Sequence, residues 1–127
     1  MQVLKAETAP RYIRAEGITS HLLASPRTCG AEHLTTTLAI IQPGGAQRMH
    51  SHAPEQVYFI LEGSGLMTVG DETRRVGPGD CIFIRSGESH GLKNDGTTIL
   101  RYFSAAAPGY PAGHLEKTWS VPSESDS

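Results

Sequence analysis

His50 and His52 stand two residues apart, Gln56 follows shortly after, and His90 lies farther along the chain. Imidazole nitrogen and amide oxygen are donors that suit divalent transition metals. On an extended strand, residues i and i+2 point to one face about 6.6 Å apart, so two imidazoles can converge on one ion. The pair alone is weak evidence. Six histidines in this chain, at 21, 33, 50, 52, 90 and 114, give about 0.3 such pairs by chance. The weight of the pair depends on the elements that hold it.

A chain of 127 residues and 13.6 kDa has room for one domain, with enough core to fold without staples. Hydrophobic residues make up 38% and charged residues 19%, with a net charge of -2. That balance argues against a disordered chain and against a basic nucleic-acid binder. The apolar runs are too short to span a membrane, and the start of the chain does not read as a secretory signal. A cytoplasmic protein with Cys29 and Cys81 as reduced thiols is therefore expected, Cys81 buried in an apolar strand and Cys29 a passive thiol.

Fourteen Gly and eight Pro fall between short apolar segments and leave the middle of the chain no room for a helix of ordinary length. Short strands broken by frequent turn signals predict an all-β sandwich or barrel. Strands are expected at 35–41, 56–61 and 81–84, with a last one over 97–104. A hairpin is expected where 66–69 and 73–76 flank Gly70-Asp71-Glu72. Residues 1–32 suggest no clear element and are treated as an N-terminal arm. Residues 33–107 form the barrel, and 108–127 a C-terminal extension whose last residues, 120–127, are expected to be disordered.

Two stretches resemble the motifs of the cupins. Gly44, His50-Ser51-His52, Gln56 and Gly63 have the spacing of the first motif. Gly79-Asp80, Gly87, His90 and Asn94 have the spacing of the second, and fifteen residues, 64–78, separate the two. The resemblance implies a double-stranded β-helix, or jelly-roll, barrel open at one end. It implies a divalent metal ion inside, held by His50, His52, Gln56 and His90, and commonly a homodimer. Two positions depart from the pattern. Arg85 stands where the second motif usually has Pro, and Gln56 where the first usually has a ligand Glu. Glu55 is a carboxylate, but strand alternation sends it to the opposite face. Three His with one Gln also occur in some small cupins, among them uronate-linearising enzymes and certain polyketide cyclases.

A neutral Gln leaves the site at +2 instead of +1. That weakens metal binding, sharpens the ion as a Lewis acid and favours anionic substrates. It also supports an oxidised metal less well, which favours isomerase, lyase or cyclase chemistry over dioxygenation. The ion itself stays open among Mn, Fe, Co, Ni and Zn. Tyr58 shares the parity of Gln56 and is expected to face the interior near the metal, as a packed residue or an acid. Arg101 aligns with a last-strand position that is acidic in the uronate-linearising relatives. It reads equally as a clamp for a carboxylate or phosphate, or as an exposed strand charge. His21, His33 and His114 are expected to be surface or packing residues, Arg74-Arg75 a solvated hairpin tip, and Trp119 a docking residue of the extension.

Three function classes follow. The first is a small metalloenzyme acting on an oxygenated small molecule. The second is a metal-containing binding or sensor module without turnover, favoured by the scarcity of acids at inward positions. The third is a barrel in which the metal is structural. Nucleic-acid and membrane partners are not expected.

Overall fold

A computed structural model describes residues 1–109. The C-terminal residues 110–127, and with them His114, Trp119 and the expected tail, lie outside the described residues. Ten strands form two antiparallel sheets, the all-β barrel that the turn-rich sequence predicts. They are β1 (Arg11–Arg14), β2 (Ile18–Leu22), β3 (Thr35–Ile41), β4 (Ala46–His50), β5 (Glu55–Glu62), β6 (Gly65–Val69), β7 (Glu72–Val76), β8 (Cys81–Ile84), β9 (His90–Lys93) and β10 (Leu100–Ala107). One sheet runs β1-β2-β3-β10-β5-β8 and the other β4-β9-β6-β7. Among the described residues, one short α-helix, α1 (Pro26–Cys29), starts at Ser25, whose hydroxyl accepts from the Thr28 amide as an N-cap. No helix among the described residues is long and apolar enough to cross a membrane.

The inward faces follow the period of two. Gln56, Tyr58 and Ile60 of β5 are buried, whereas Glu55 is exposed on the other face, as alternation requires. Ile18, Ile41, Ile60, Ile84, Leu92 and Leu100 are each at most 1% exposed and fill the space between the sheets. Each contributes roughly 1.5–3 kcal/mol by leaving water. The same alternation overturns the expectation for Cys81. It shares the parity of outward Phe83 and opposite Phe59, and it is exposed.

Three boundaries differ from those expected. Residues 1–32 contain β1 and β2, and β2 pairs with β3 along its whole length. The polar Ser20 and His21 within β2 dilute its apolar signal. β10 runs to Ala107 because Ala105, Ala106 and Ala107 pair with Val57, Gln56 and Glu55. Alanine has low strand propensity, so this end is set by pairing. β10 begins only at Leu100 because the Asn94 side chain holds residues 94–98 in a turn. Its amide donates to the Thr98 carbonyl at 2.9 Å, and its oxygen accepts from the Gly96 amide at 3.1 Å. The β6–β7 hairpin forms as expected around Gly70-Asp71. A positive φ at Gly70 alone, 61°, is the pattern of a type II′ turn.

Candidate metal centre

The site is assembled from four segments. His50 is the last residue of β4, and His52 lies just beyond it in the loop to β5. Gln56 is the second residue of β5, and His90 opens β9. β4 and β9 pair directly, with His50 opposite His90 across a register irregularity. Simple strand parity therefore does not place His52. The turn after β8 does, because the Gly87 amide donates to the His52 carbonyl at 2.8 Å. That turn also explains Arg85. Its backbone amide donates to the Glu88 carboxylate at 3.2 Å, and the Glu88 amide donates back to the Arg85 carbonyl. Proline in place of Arg85 would have no N–H to give.

The ligand nitrogens of His50, His52 and His90 all lie within 4.8 Å of one another. The ring centroids are 4.2 Å apart for His50 and His90, 5.1 Å for His52 and His90, and 5.4 Å for His50 and His52. Each Nδ1 meets a backbone carbonyl. His50 is 2.8 Å from Arg48 O, His52 3.3 Å from Pro54 O, and His90 2.9 Å from Glu88 O. A carbonyl accepts only, so the contacts at His52 and His90 put the proton on Nδ1, while at His50 the Gln47 amide nitrogen also lies 3.3 Å from Nδ1. With the proton on Nδ1, Nε2 is the nitrogen that carries the lone pair an electrophile needs. Burial, the largest cause, holds the His90 pKa down to about 4, with further lowering from the His50 and His52 charges. Burial likewise lowers His50, with smaller contributions from His52 and Arg14. Neutral imidazoles are the form that binds metal.

Gln56 completes the set. Its Nε2 donates to the Ser104 hydroxyl of β10 at 2.5 Å, while Oε1 is buried without a hydrogen-bond partner. His90 Nε2 is likewise buried and unpartnered. Buried acceptors left unmet are costly and rare, and both atoms belong to the expected donor set. The residues present thus fit a divalent ion held by three imidazoles and one amide oxygen. Among the described residues, no other group of three His, Cys, Asp or Glu side chains could hold a metal.

Tyr58 is brought to the site. It is 2% exposed, stacks on Tyr102 at 4.3 Å, and sets its ring edge-on to His90 at 5.8 Å. Arg101 is not. Its neighbours Leu100 and Tyr102 are buried inward, so Arg101 points outward and pairs with Glu62 at 3.4 Å. Of the two readings held open for Arg101, the structure shows the strand charge, in an outer-face ion pair. His21 is on the outer face of β2, and His33 is exposed beside Glu32. Sequence reasoning missed Ser104, which carried no signal beyond its parity with Tyr102.

Residues 37–106 match the cupin domain family. The chain belongs to the cupins. It is 31% identical over 113 residues to the uncharacterized protein MJ1618 of Methanocaldococcus jannaschii, covering 87% of this chain and 90% of the relative. It is 29% identical over 111 residues to the oxalate-binding protein of Thermotoga maritima, covering 82% and 91%. Among solved structures, the polyketide cyclase RemF of Streptomyces resistomycificus superposes with a TM-score of 0.75 at 26% identity. The match covers 99% of this cupin and 89% of RemF.

Proposed function

We propose that this cupin is a small metal-dependent enzyme. His50, His52, His90 and Gln56 hold one divalent transition metal ion, and the substrate is a small oxygenated anion turned over by isomerase-, lyase- or cyclase-type chemistry. The observation that carries the reading is the shared arrangement of the three histidines, each tied through Nδ1 to a carbonyl beside the unmet Oε1 of Gln56. When bound, the ion supplies Lewis-acid polarisation of a substrate oxygen. The chain itself supplies four neutral ligands, so the bound ion keeps its full +2 charge and attracts anions. Tyr58 walls the site with its ring edge-on to His90, which supports a role for its phenol as a proton holder there. Similarity to an oxalate-binding protein supports a small oxygen-rich anion, and similarity to a polyketide cyclase supports cyclase-type chemistry.

A binding module without turnover is the second reading. It is favoured by the make-up of the donor cluster, which contains histidines and an amide but no carboxylate. The proposed setting is the cytoplasm, with Cys29 and Cys81 as free thiols. The proposed assembly is a homodimer, for which exposed Phe59, Leu61 and Phe83 on the outer face of β5 and β8 offer an apolar contact for a second copy.

Elemental analysis by ICP mass spectrometry of the purified protein and of a His90→Ala variant tests the metal. About one equivalent per chain, lost in the variant, is the expected result. Absence of metal, with no uptake on reconstitution, would overturn the reading. Sedimentation of the same sample at twice the chain mass is expected, and a monomer would remove the dimer. Turnover of a panel of small hydroxy and keto acids separates enzyme from binder.

A further inference from the structure

The start of β1, the end of β2, the start of β3 and the end of β10 lie at one end of the larger sheet, as their antiparallel pairing requires. A cavity of about 410 Å³ opens there, between the N-terminal arm and α1. Its apolar wall is Val3, Leu4, Ala9, Pro10 and Leu22, and two cations, Lys5 and Arg27, line it without any acid. Ala9 and Leu22 are buried, whereas Val3 is 74% and Leu4 38% exposed. The volume falls in the range, roughly 300–1,000 Å³, of sites that receive an organic group. A group that covers the exposed aliphatic side chains gains by removing them from water.

The described chain leaves at that same end. Ala106 pairs with Thr35, and Gly109 lies so close to Leu34 and Thr35 that an added Cβ would stand 2.7 Å from Thr35 Oγ1. The neighbouring segment leads into the cavity. Leu22 pairs with Thr37, and the Leu23 amide donates to the Thr36 carbonyl at 2.9 Å. One strand spacing, about 4.8 Å, separates these two segments. Eighteen residues, 110–127, follow Gly109, and they include Trp119, the single tryptophan. Ten residues extended reach roughly 33 Å, so Trp119 can arrive at the cavity. After Trp119 come Glu124 and Asp126 and no Lys or Arg. An apolar hollow flanked by two cations thus has, on its own chain and within reach, an indole followed by two acids. The larger concavity along β7 and β8 suits that segment less, since Asp71, Glu72, Asp80 and Glu88 outnumber its three arginines.

We propose that residues 110–127 dock on this cavity, with the Trp119 indole against Val3, Leu4 and Leu22 and the acids Glu124 and Asp126 toward Lys5 and Arg27. The occupant is a segment of the same chain, and docking fastens the chain beyond the last strand to the N-terminal arm. The proposal is independent of the metal reading.

Trp119 reports its own surroundings, because no other indole is present. Its emission and its quenching by acrylamide are measured on the full chain, beside N-acetyltryptophanamide, over about a hundredfold range of protein concentration. Circular dichroism on every sample checks the fold. The native chain is expected to emit to the blue of the free indole and to be quenched about threefold more weakly, at every concentration. Leu4→Asp puts a charge on the apolar wall and is expected to bring quenching close to the free-indole value. Lys5→Glu is expected to move it by a smaller step that shrinks at high salt. If Leu4→Asp fails to fold, Val3→Asp, at a more exposed position, carries the same test. Native emission equal to that of the free indole would overturn the proposal, as would unchanged quenching in a folded Leu4→Asp or Val3→Asp chain. Protection that appears only at high concentration would assign Trp119 to a second copy instead. Release of Trp119 by Phe83→Asp, on the outer face of β8, and not by the cavity variants would place the dock elsewhere and overturn it too.

Discussion

In the proposed centre, Gln56 sets the charge. A neutral amide there, anchored by Ser104 on the neighbouring strand, gives up the attraction that a carboxylate would lend to a dication. Gln56→Glu is therefore expected to bind the metal at least tenfold more tightly, as read by competition with a fluorescent chelator. In the chelator-stripped form the same variant is expected to be less stable than native, because a buried carboxylate then faces neither cation nor water. Equal metal affinity in the two proteins would mean that Gln56 does not ligate. The choice between Gln56 and Glu55 was legible from strand parity alone, since β5 is regular there. Arg101 could not be placed in that way, because chain order does not declare which face of its strand turns inward.

At the scale of elements, the turns hold the ligands in place. Asn94 is fully buried and donates to the Ile41 carbonyl on β3 and the Thr98 carbonyl, each at 2.9 Å. Its own carbonyl accepts from Gly44 at 2.9 Å, so the end of the second motif is fastened to the start of the first. Removing the side chain strands those carbonyls inside the protein. Asn94→Ala is expected to cost about 2–4 kcal/mol in urea unfolding. A loss below about 0.5 kcal/mol would show that water replaces the amide. Gly63 has the same character. Its φ is 76°, and a Cβ there would run into the Ile99 carbonyl, so the β5–β6 turn admits only glycine. Both residues belonged to recognisable motifs, yet their work is structural.

For the whole molecule, burial of the imidazoles links stability to pH. His90 titrates at about 4 when folded, against 6.5 for the exposed group. Between those values the unfolded chain binds the proton and the folded chain does not, so stability rises with pH across that window. The metal-stripped protein is expected to lose about 3 kcal/mol on acidification from pH 7 to pH 4. The lowered pKa of His50 acts in the same direction. Urea midpoints measured at half-unit intervals would show the slope, and a flat profile would mean that the rings are not buried as neutral species. About one unit below pH 4 this group adds nothing further, since both states then carry the proton.

The sequence by itself determined the class of fold and the alternation along β5, and its resemblance to the cupin motifs named the four candidate donors. Fold class and alternation are properties of local periodicity and of spacing between turn residues, and both are written along the chain. The tertiary structure decided which histidine nitrogen faces the centre, that Ser104 anchors Gln56, and that Arg101 turns outward. It also built β1 and β2 from a segment with little apolar pattern, and carried β10 through three alanines. Each of these depends on a hydrogen bond or a pairing between residues distant in sequence. Such contacts exist only once the two sheets have closed on each other.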